Sequence, residues 1–241
     1  CWRIFKLKWQ DSALEHAQDQ SPNEACGLIY LFKGKEKYMP CKNIAFDKIN
    51  TFTIDPKDWA ITETKGDIVG IFHSHTNCEP TPTDADKYSA EKLGIKWWIV
   101  NPTQNKWDSY EPIGYAKSLI GRPWVWGVYD CWTLTRDYYK DHGLTLKDFV
   151  RPEDPEEFAQ NPLFEKYYAE LGFRDLLYNE PLKVGDSLLF SIYGNGLNHV
   201  GVYVGNSEIL HHIQGRLSGR EYYGEYLQKN TGKRLRHESY N

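Results

Sequence analysis

The 241-residue chain predicts two successive domains that mix helix and sheet, α/β in the first half and α+β in the second. Three observations carry that prediction. Short apolar runs alternate with a polar loop and a helix between residues 26 and 100. After residue 183 the pattern changes to closely spaced strands. Two clusters of chemistry-bearing residues also occupy separate halves of a length that suits two domains of roughly 110 to 130 residues, each able to bury its own core.

In the first half, Cys26 to Phe32 is a continuous apolar and aromatic run of the kind a buried strand needs, ended by Lys33-Gly34. Asp67 to Phe72 is a second such strand and delivers His73-Ser74-His75 at its C-terminal end. A loop rich in Pro and polar residues follows, from Thr76 to Pro82. Thr83 to Lys92 then predicts a helix ended by Gly94, and Lys96 to Val100 another strand. Asn101 to Pro112 is polar and broken by Pro, and the domain boundary is placed there, giving domains of residues 1–110 and 113–241.

The second half opens with an expected helix over Tyr115 to Ile120, stopped by Gly121-Arg122-Pro123. A further helix is expected from Cys131 to His142, with Gly143 supplying the left-handed position after its end. Residues 144–180 are acidic and interrupted by Pro, and predict a helical excursion. Strands follow over Ser187 to Phe190, His199 to Val204 and Glu208 to Ile213, with Gly205-Asn206-Ser207 turning between the last two. The part of the excursion from Glu153 to Asp175 lies between two candidate catalytic groups, where either a lid or docking surface, or a solvated surface insertion, would fit.

Composition excludes several classes. A net charge of −4 lacks the basic stripe that marks nucleic-acid binding, so no nucleic-acid partner is expected. No apolar run approaches the roughly 18 residues of a membrane span. Cys1 to Phe5 has neither the charged nor the apolar region of a secretory signal, which points to synthesis in a cytoplasm. Five cysteines, at 1, 26, 41, 78 and 131, form neither a disulfide framework nor a CxxC zinc site. At least one thiol is left over for chemistry.

The first cluster suits a metal. His73 and His75 stand two apart on an extended segment, so their side chains point the same way and Ser74 points elsewhere. Asp86 is suited to complete three protein ligands and leave a fourth position open, as a catalytic zinc site requires. Glu24 is placed to act as the general base toward water, and Thr83 to offer a hydroxyl to an oxyanion. Thr83-x-x-Asp86 after Pro82 is also a capping box for the helix it opens, and the two roles are compatible. Cys78 lies three residues after His75 and offers an alternative, closing ligand that would make the site structural.

These five positions match a motif: a Glu well upstream, His-Ser-His, seven residues, Ser or Thr, two residues, Asp. Over about residues 20 to 100 the chain thereby resembles the JAMM metalloproteases, with Thr83 where Ser is usual. The resemblance implies a mixed sheet flanked by helices, Zn2+ held by His73, His75 and Asp86, and Glu24 as base.

The second cluster suits a nucleophilic thiol. Cys131 begins a helix capped by Asp130, and the positive end of a helix favours the thiolate form. A histidine must lie within reach with a third polar group to orient it. His199 and His211 sit on adjacent strands across a tight turn, but alternation alone does not choose between His211 and His212, because loop length sets the parity.

Leu119 to Gly127, leading into Asp130-Cys131, and Asp186 to Phe190, preceding Asn198-His199-Val200-Gly201-Val202-Tyr203-Val204-Gly205, are features shared with the NlpC-like cell-wall cysteine peptidases. The resemblance implies a papain-like domain with Cys131 as nucleophile, His199 as base and, twelve residues on, His211 as the third member. Two positions depart from it. Trp124 stands where Tyr is frequent, and Trp132-Thr133 stand where Ser-Gly is usual, so the pocket beside the nucleophile is expected to be reshaped. The order of the two domains resembles that of tail tip proteins of lambda-like phages. That likeness implies a virion component acting in the host periplasm, with peptidoglycan stem peptides as substrate and other tail tip proteins as partners.

Overall fold

The structure, a computed structural model, describes residues 9–160, 163–192 and 196–240, so the reading of Cys1 to Phe5 lies outside the described residues. The chain divides after Ala116 into two compact units.

The first unit contains helices α1 (Trp9–Gln20), α2 (Pro56–Glu63) and α3 (Asp84–Leu93). Its strands are β1 (Cys26–Phe32), β2 (Lys35–Cys41), β3 (Asp67–Ser74), β4 (Lys96–Asn101) and β5 (Lys106–Tyr110). They form one mixed sheet in the order β2-β1-β3-β4-β5, with only β3 and β4 parallel. A parallel pair needs a crossover, and α3 supplies it. Both faces of the sheet are covered, which is why β1 and β3 read as unbroken apolar runs. On one face Ile29, Phe72 and Val100 pack against Trp9, Ala13 and Ala17 of α1. On the other, Leu28, Ile71 and Trp97 pack against Ala90 of α3. Helix α1 escapes a hydropathy reading because two of the three residues in its buried i, i+4, i+8 stripe are alanines.

The expected linker at 101–112 is instead the second half of a hairpin. Lys106-Trp107-Asp108-Ser109-Tyr110 pairs antiparallel with β4, Trp97 opposite Tyr110. Its outward side chains are polar because the strand closes the sheet at an edge, and those side chains disguised it as a loop.

The second unit has helices α4 (Cys131–Asp141), α5 (Pro155–Gln160), α6 (Leu163–Tyr167) and α7 (Glu225–Lys229). Its strands are β6 (Phe173–Asp175), β7 (Ser187–Phe190), β8 (His199–Gly205), β9 (Glu208–His211), β10 (Gly219–Tyr222) and β11 (Thr231–His237). They form an antiparallel sheet in the order β10-β9-β8-β7-β11-β6. Helix α4 lies on one face through Trp132, Leu134, Tyr138 and Tyr139, against Leu189, Val200, Val202 and Leu210. At the opposite side of the sheet from β10, Arg236 of β11 makes two 2.8 Å hydrogen bonds to Asp186, which is fully buried.

Two expectations fail here. The helix over Tyr115 to Ile120 does not form, because side chains take the carbonyls a helix would use. Arg122 donates to Lys117 O (2.8 Å) and Ser118 O (2.9 Å), and Ser218 Oγ donates to Leu119 O (2.9 Å). Nor is the part from Glu153 to Asp175 a solvated surface insertion, although the helical expectation for 144–180 is met by α5 and α6. Leu146, Phe158, Phe164 and Phe173 all enter the core under α4. Fully burying a phenylalanine stabilises by about 1.5–3 kcal/mol, so this segment is part of what holds the unit together.

Candidate active sites

In the first unit three ligand-type side chains converge at the C-terminal end of β3 and the start of α3. His73, His75 and Asp86 are all buried, and their ligand atoms lie within 4.8 Å of one another. His73 Nε2 is 3.0 Å from His75 Nε2 and 3.2 Å from Asp86 Oδ1, and His75 Nε2 is 3.5 Å from Asp86 Oδ2. Ligands at about 2.0–2.1 Å from a tetrahedral zinc would stand about 3.3 Å apart, and the three separations bracket that value. His75 Nδ1 bonds to Glu79 O at 3.1 Å, which turns its Nε2 lone pair toward the cluster. The residues therefore fit a zinc ion, and the chemistry of the set, two imidazoles and a carboxylate, is that of an open catalytic site.

Local folding explains the convergence. Thr83 caps α3: its hydroxyl donates to Asp86 Oδ2 (2.7 Å) and accepts from Asp86 N–H (3.1 Å), while its own N–H donates to the same oxygen (2.7 Å). The capping box thus aims the carboxylate at the histidines. The Thr83 hydroxyl is committed to Asp86 on both counts, so service to an oxyanion requires it to leave that partner. Phe52 stacks on His73 with ring centroids 4.6 Å apart and fixes the imidazole plane.

Burial lowers the His73 pKa. For His75 burial also pulls down, but the hydrogen bond and charge of Asp86 outweigh it and the pKa rises. Asp86 lies well below the usual carboxylate range: burial opposes ionisation, and His73, His75 and Thr83 overcome it. Glu24 is buried, and desolvation pushes its carboxyl up to about 8, with His75 opposing and Asp86 reinforcing.

Ser74 has a job that the sequence reading missed: its Oγ accepts from Ala25 N–H at 2.9 Å, and Ala25 O accepts from Ser74 N–H at 3.0 Å. That double tie holds the residue after Glu24 against the ligand strand. Cys78, raised above as a closing ligand, is exposed and stands outside the ligand group, and its backbone O accepts from Asn101 Nδ2 at 2.8 Å.

In the second unit Cys131 occupies the first turn of α4. Asp130 caps that helix, accepting from Thr133 N–H at 2.8 Å, and its other oxygen accepts from Gly127 N–H (3.0 Å) and Arg151 Nε (2.9 Å). Burial pushes the Cys131 thiol up to about 12, with Asp130 adding to the rise and the N–H of Val200 and the charge of Arg151 pulling down. Burial likewise holds His199 well below its usual value. The helix dipole alone therefore does not produce the resting thiolate expected from sequence. Burial thus favours the neutral thiol at Cys131, which faces the N–H of Val200, and the neutral ring at His199.

His199 Nε2 lies 3.2 Å from His211 Nδ1, and His211 Nε2 lies 3.0 Å from Glu221 Oε2. His212 faces elsewhere, its Nε2 on Arg216 O at 3.2 Å. Register explains the line. Both cross-strand neighbours of His211 are glycines, Gly201 on β8 and Gly219 on β10. His199 and Glu221 stand two residues from those glycines, hence on the same face and diagonal to His211. A Cβ on Gly201 would lie 3.1 Å from His211 Cβ, so a larger residue there would press on the His211 side chain.

Trp132 is buried. It stacks on Phe149 at 4.9 Å and donates to Asp148 Oδ1 at 3.2 Å. Trp124 is half-buried and stacks on Trp126 at 6.0 Å. Arg151, Gly201 and Glu221 had no assigned role in sequence; Gly201 lies inside the quoted motif, whereas nothing near Arg151 or Glu221 marks either.

A metal-ligand cluster on a mixed sheet, and a helix-capped cysteine facing the strand of an antiparallel sheet that carries a histidine line, define a two-domain protein of peptidase type. Residues 6–111 match the model of prokaryotic homologues of the JAB domain, and residues 121–236 match the NlpC/P60 family. The chain is 31% identical over 236 residues to tail tip assembly protein K of Escherichia phage N15, covering 97% of this chain and 96% of that one. It is 34% identical over 191 residues to tail tip assembly protein K of Escherichia phage lambda, covering 78% of this chain and 90% of that one. The first domain is also 27% identical over 118 residues to a desampylase of Haloferax volcanii, 42% of this chain and 85% of that one. The chain belongs to the tail tip assembly protein K family, with a JAB-type mixed-sheet domain followed by an NlpC/P60-type domain.

Proposed function

We propose that this chain is a tail tip component of a phage virion that opens host peptidoglycan with its second domain and cleaves a peptide or isopeptide bond with its first. The observation that carries the reading is the His199–His211 line together with a helix-capped Cys131 that faces the N–H of Val200, the residue after His199; all three side chains are buried. The thiol activity is assigned to residues 113–241 and the metal-dependent activity to residues 1–110.

At the thiol site His199 takes the Cys131 proton as sulfur attacks the scissile carbonyl, and returns it to the departing amine. Because both groups rest neutral, the transfer accompanies attack. Water then hydrolyses the thioester. The substrate class is a stem peptide, with the bond between D-glutamate and diaminopimelate as the expected site. The protein is made in the host cytoplasm and works in the host periplasm after delivery with the tail.

At the metal site His73, His75 and Asp86 would hold zinc, which supplies Lewis-acid polarisation of the scissile carbonyl and of water. Glu24, kept protonatable near neutral pH by its burial, moves the proton between water and the leaving amine. Thr83 and Phe52 fix the ligands. The desampylase likeness supports a peptidase or isopeptidase reading of this half.

Incubation with a synthetic stem peptide tests the thiol assignment. Wild type yields two fragments by mass spectrometry and Cys131→Ala yields none; an uncut peptide with wild type overturns the reading. A second reading, that the chain serves tail tip assembly with one or both sites unused, is favoured by the names of its relatives. It predicts that Cys131→Ala and His73→Ala leave tail incorporation and infectivity unchanged.

A further inference from the structure

We infer that Glu221 is a positioning residue of the thiol site, one that sets the tautomer of both histidines and so leaves His199 Nδ1 free to take the Cys131 proton. The inference rests on the thiol-peptidase reading above and deepens it.

A line of two neutral imidazoles is ambiguous by itself. In His199 Nε2···His211 Nδ1 either nitrogen can carry the proton. If His211 Nδ1 carries it, His199 Nε2 must be the acceptor, the His199 proton sits on Nδ1, and the ring has no lone pair for the thiol. The opposite choice is needed for a base. A carboxylate at the far end removes the ambiguity, because an ionised carboxylate only accepts.

Glu221 Oε2 is 3.0 Å from His211 Nε2. That contact places a proton on His211 Nε2, which makes Nδ1 the acceptor, which draws the His199 proton to Nε2. His199 Nδ1 is then the remaining lone pair. When Cys131 gives up its proton to that atom, the positive charge formed on His199 is relayed through two N–H donors to the carboxylate. No atom is lost or gained.

Strand geometry makes the contact systematic. Gly219 pairs with His211 across β9 and β10, and Glu221, two residues further on, reaches back over the space the glycine leaves. The Glu221 side chain is 44% exposed and the His211 side chain 6% exposed, so a carboxylate at the surface holds a buried ring. Alternative partners on the same edge are engaged elsewhere: Arg220 lies 3.8 Å from Glu208. The relay differs from a two-member pair in that its last group stands at the surface, on an edge strand.

The test uses the full chain and three readouts. First, alkylation of Cys131 by iodoacetamide at pH 7.5 is compared among wild type, His199→Ala, His211→Ala, Glu221→Ala, Glu221→Gln and Glu221→Asp. Loss of a tautomer-setting carboxylate costs about 10⁴ in rate where it contacts the base directly. One ring further out and half-exposed, Glu221→Ala is expected to slow alkylation and stem-peptide turnover by about tenfold. Glu221→Gln, whose amide oxygen still accepts, and Glu221→Asp recover at least part of the loss. Second, kcat falls while KM stays within twofold. Third, long-range nitrogen–proton spectra of His211 show an Nε2–H tautomer in wild type and a mixture in Glu221→Ala.

Sensitivity of alkylation to His199→Ala and His211→Ala but not to Glu221→Ala overturns this inference alone. Insensitivity to His199→Ala overturns the thiol-peptidase reading beneath it. An unchanged His211 tautomer in folded Glu221→Ala also overturns the inference.

Discussion

Replacing Thr83 by Ala separates helix capping from metal positioning at one hydroxyl. The Thr83 Oγ1 makes two bonds, donating to Asp86 Oδ2 at 2.7 Å and accepting from Asp86 N–H at 3.1 Å. Loss of a threonine cap costs about 1 kcal/mol. Loss of a hydroxyl bond to a carboxylate adds up to about 1 kcal/mol here, below the usual range for charged groups, because Thr83 N–H still holds the same oxygen at 2.7 Å. The sum, about 1–2 kcal/mol, lowers the melting temperature of the first unit by roughly 4–16 °C. The same change leaves Asp86 Oδ2 with one of its two bonds to Thr83, which loosens its aim at His73 and His75, and losing an outer partner of a metal ligand typically weakens binding about 10–100-fold. Calorimetry of the metal-free protein reads the first effect, and competition with a chromophoric zinc chelator reads the second. Thr83→Ser restores both. If Thr83→Ala melts lower but binds zinc within twofold of wild type, the capping box stabilises α3 only and the positioning argument is wrong.

Other expectations follow from the same geometry. Gly201→Ala presses a methyl group to 3.1 Å of His211 Cβ and 3.2 Å of Leu210 O, and costs about 1–3 kcal/mol with loss of stem-peptide turnover; normal stability and turnover would contradict the packing reason given for this glycine. Arg151→Met leaves Asp130 fully buried without its cation, and chemical denaturation of the second unit shows about 3 kcal/mol less stability. Slower Cys131 alkylation accompanies it, since Arg151 holds the thiol pKa down. Cys131 also gives a pH signature. Its folded pKa of about 12 exceeds the unfolded value near 9, so the folded state holds that proton more tightly, and the stability it contributes is present below pH 9 and lost between 9 and 12. Cys131→Ser flattens that part of the curve; an unaltered slope would show that the thiol is not desolvated.

Much of the site chemistry is legible in the sequence, because it depends on spacing within single elements. Two histidines two apart on a strand must share a face, and Thr83-x-x-Asp86 must form its box if a helix starts there. The order strand, loop, helix, strand that carries both is equally local. What escaped depends on distant pairing. Strand β5 hides because only alternate residues of Lys106 to Tyr110 face the sheet. The 144–180 segment shows charge in sequence and aromatic packing in space, where Phe158, Phe164 and Phe173 meet Trp132 in one core. The choice between His211 and His212 turns on the register between β8 and β9, which pairs Gly201 with His211. Glu221 is found only from the pairing of Gly219 with His211.

The most direct test of the account is digestion of purified peptidoglycan sacculi by wild type, Cys131→Ala and His73→Ala, with released fragments identified by mass spectrometry. The account predicts stem-peptide cleavage by wild type and His73→Ala and none by Cys131→Ala. Cleavage that survives in Cys131→Ala, or is lost in a folded His73→Ala, would contradict the assignment of cell-wall hydrolysis to the thiol site.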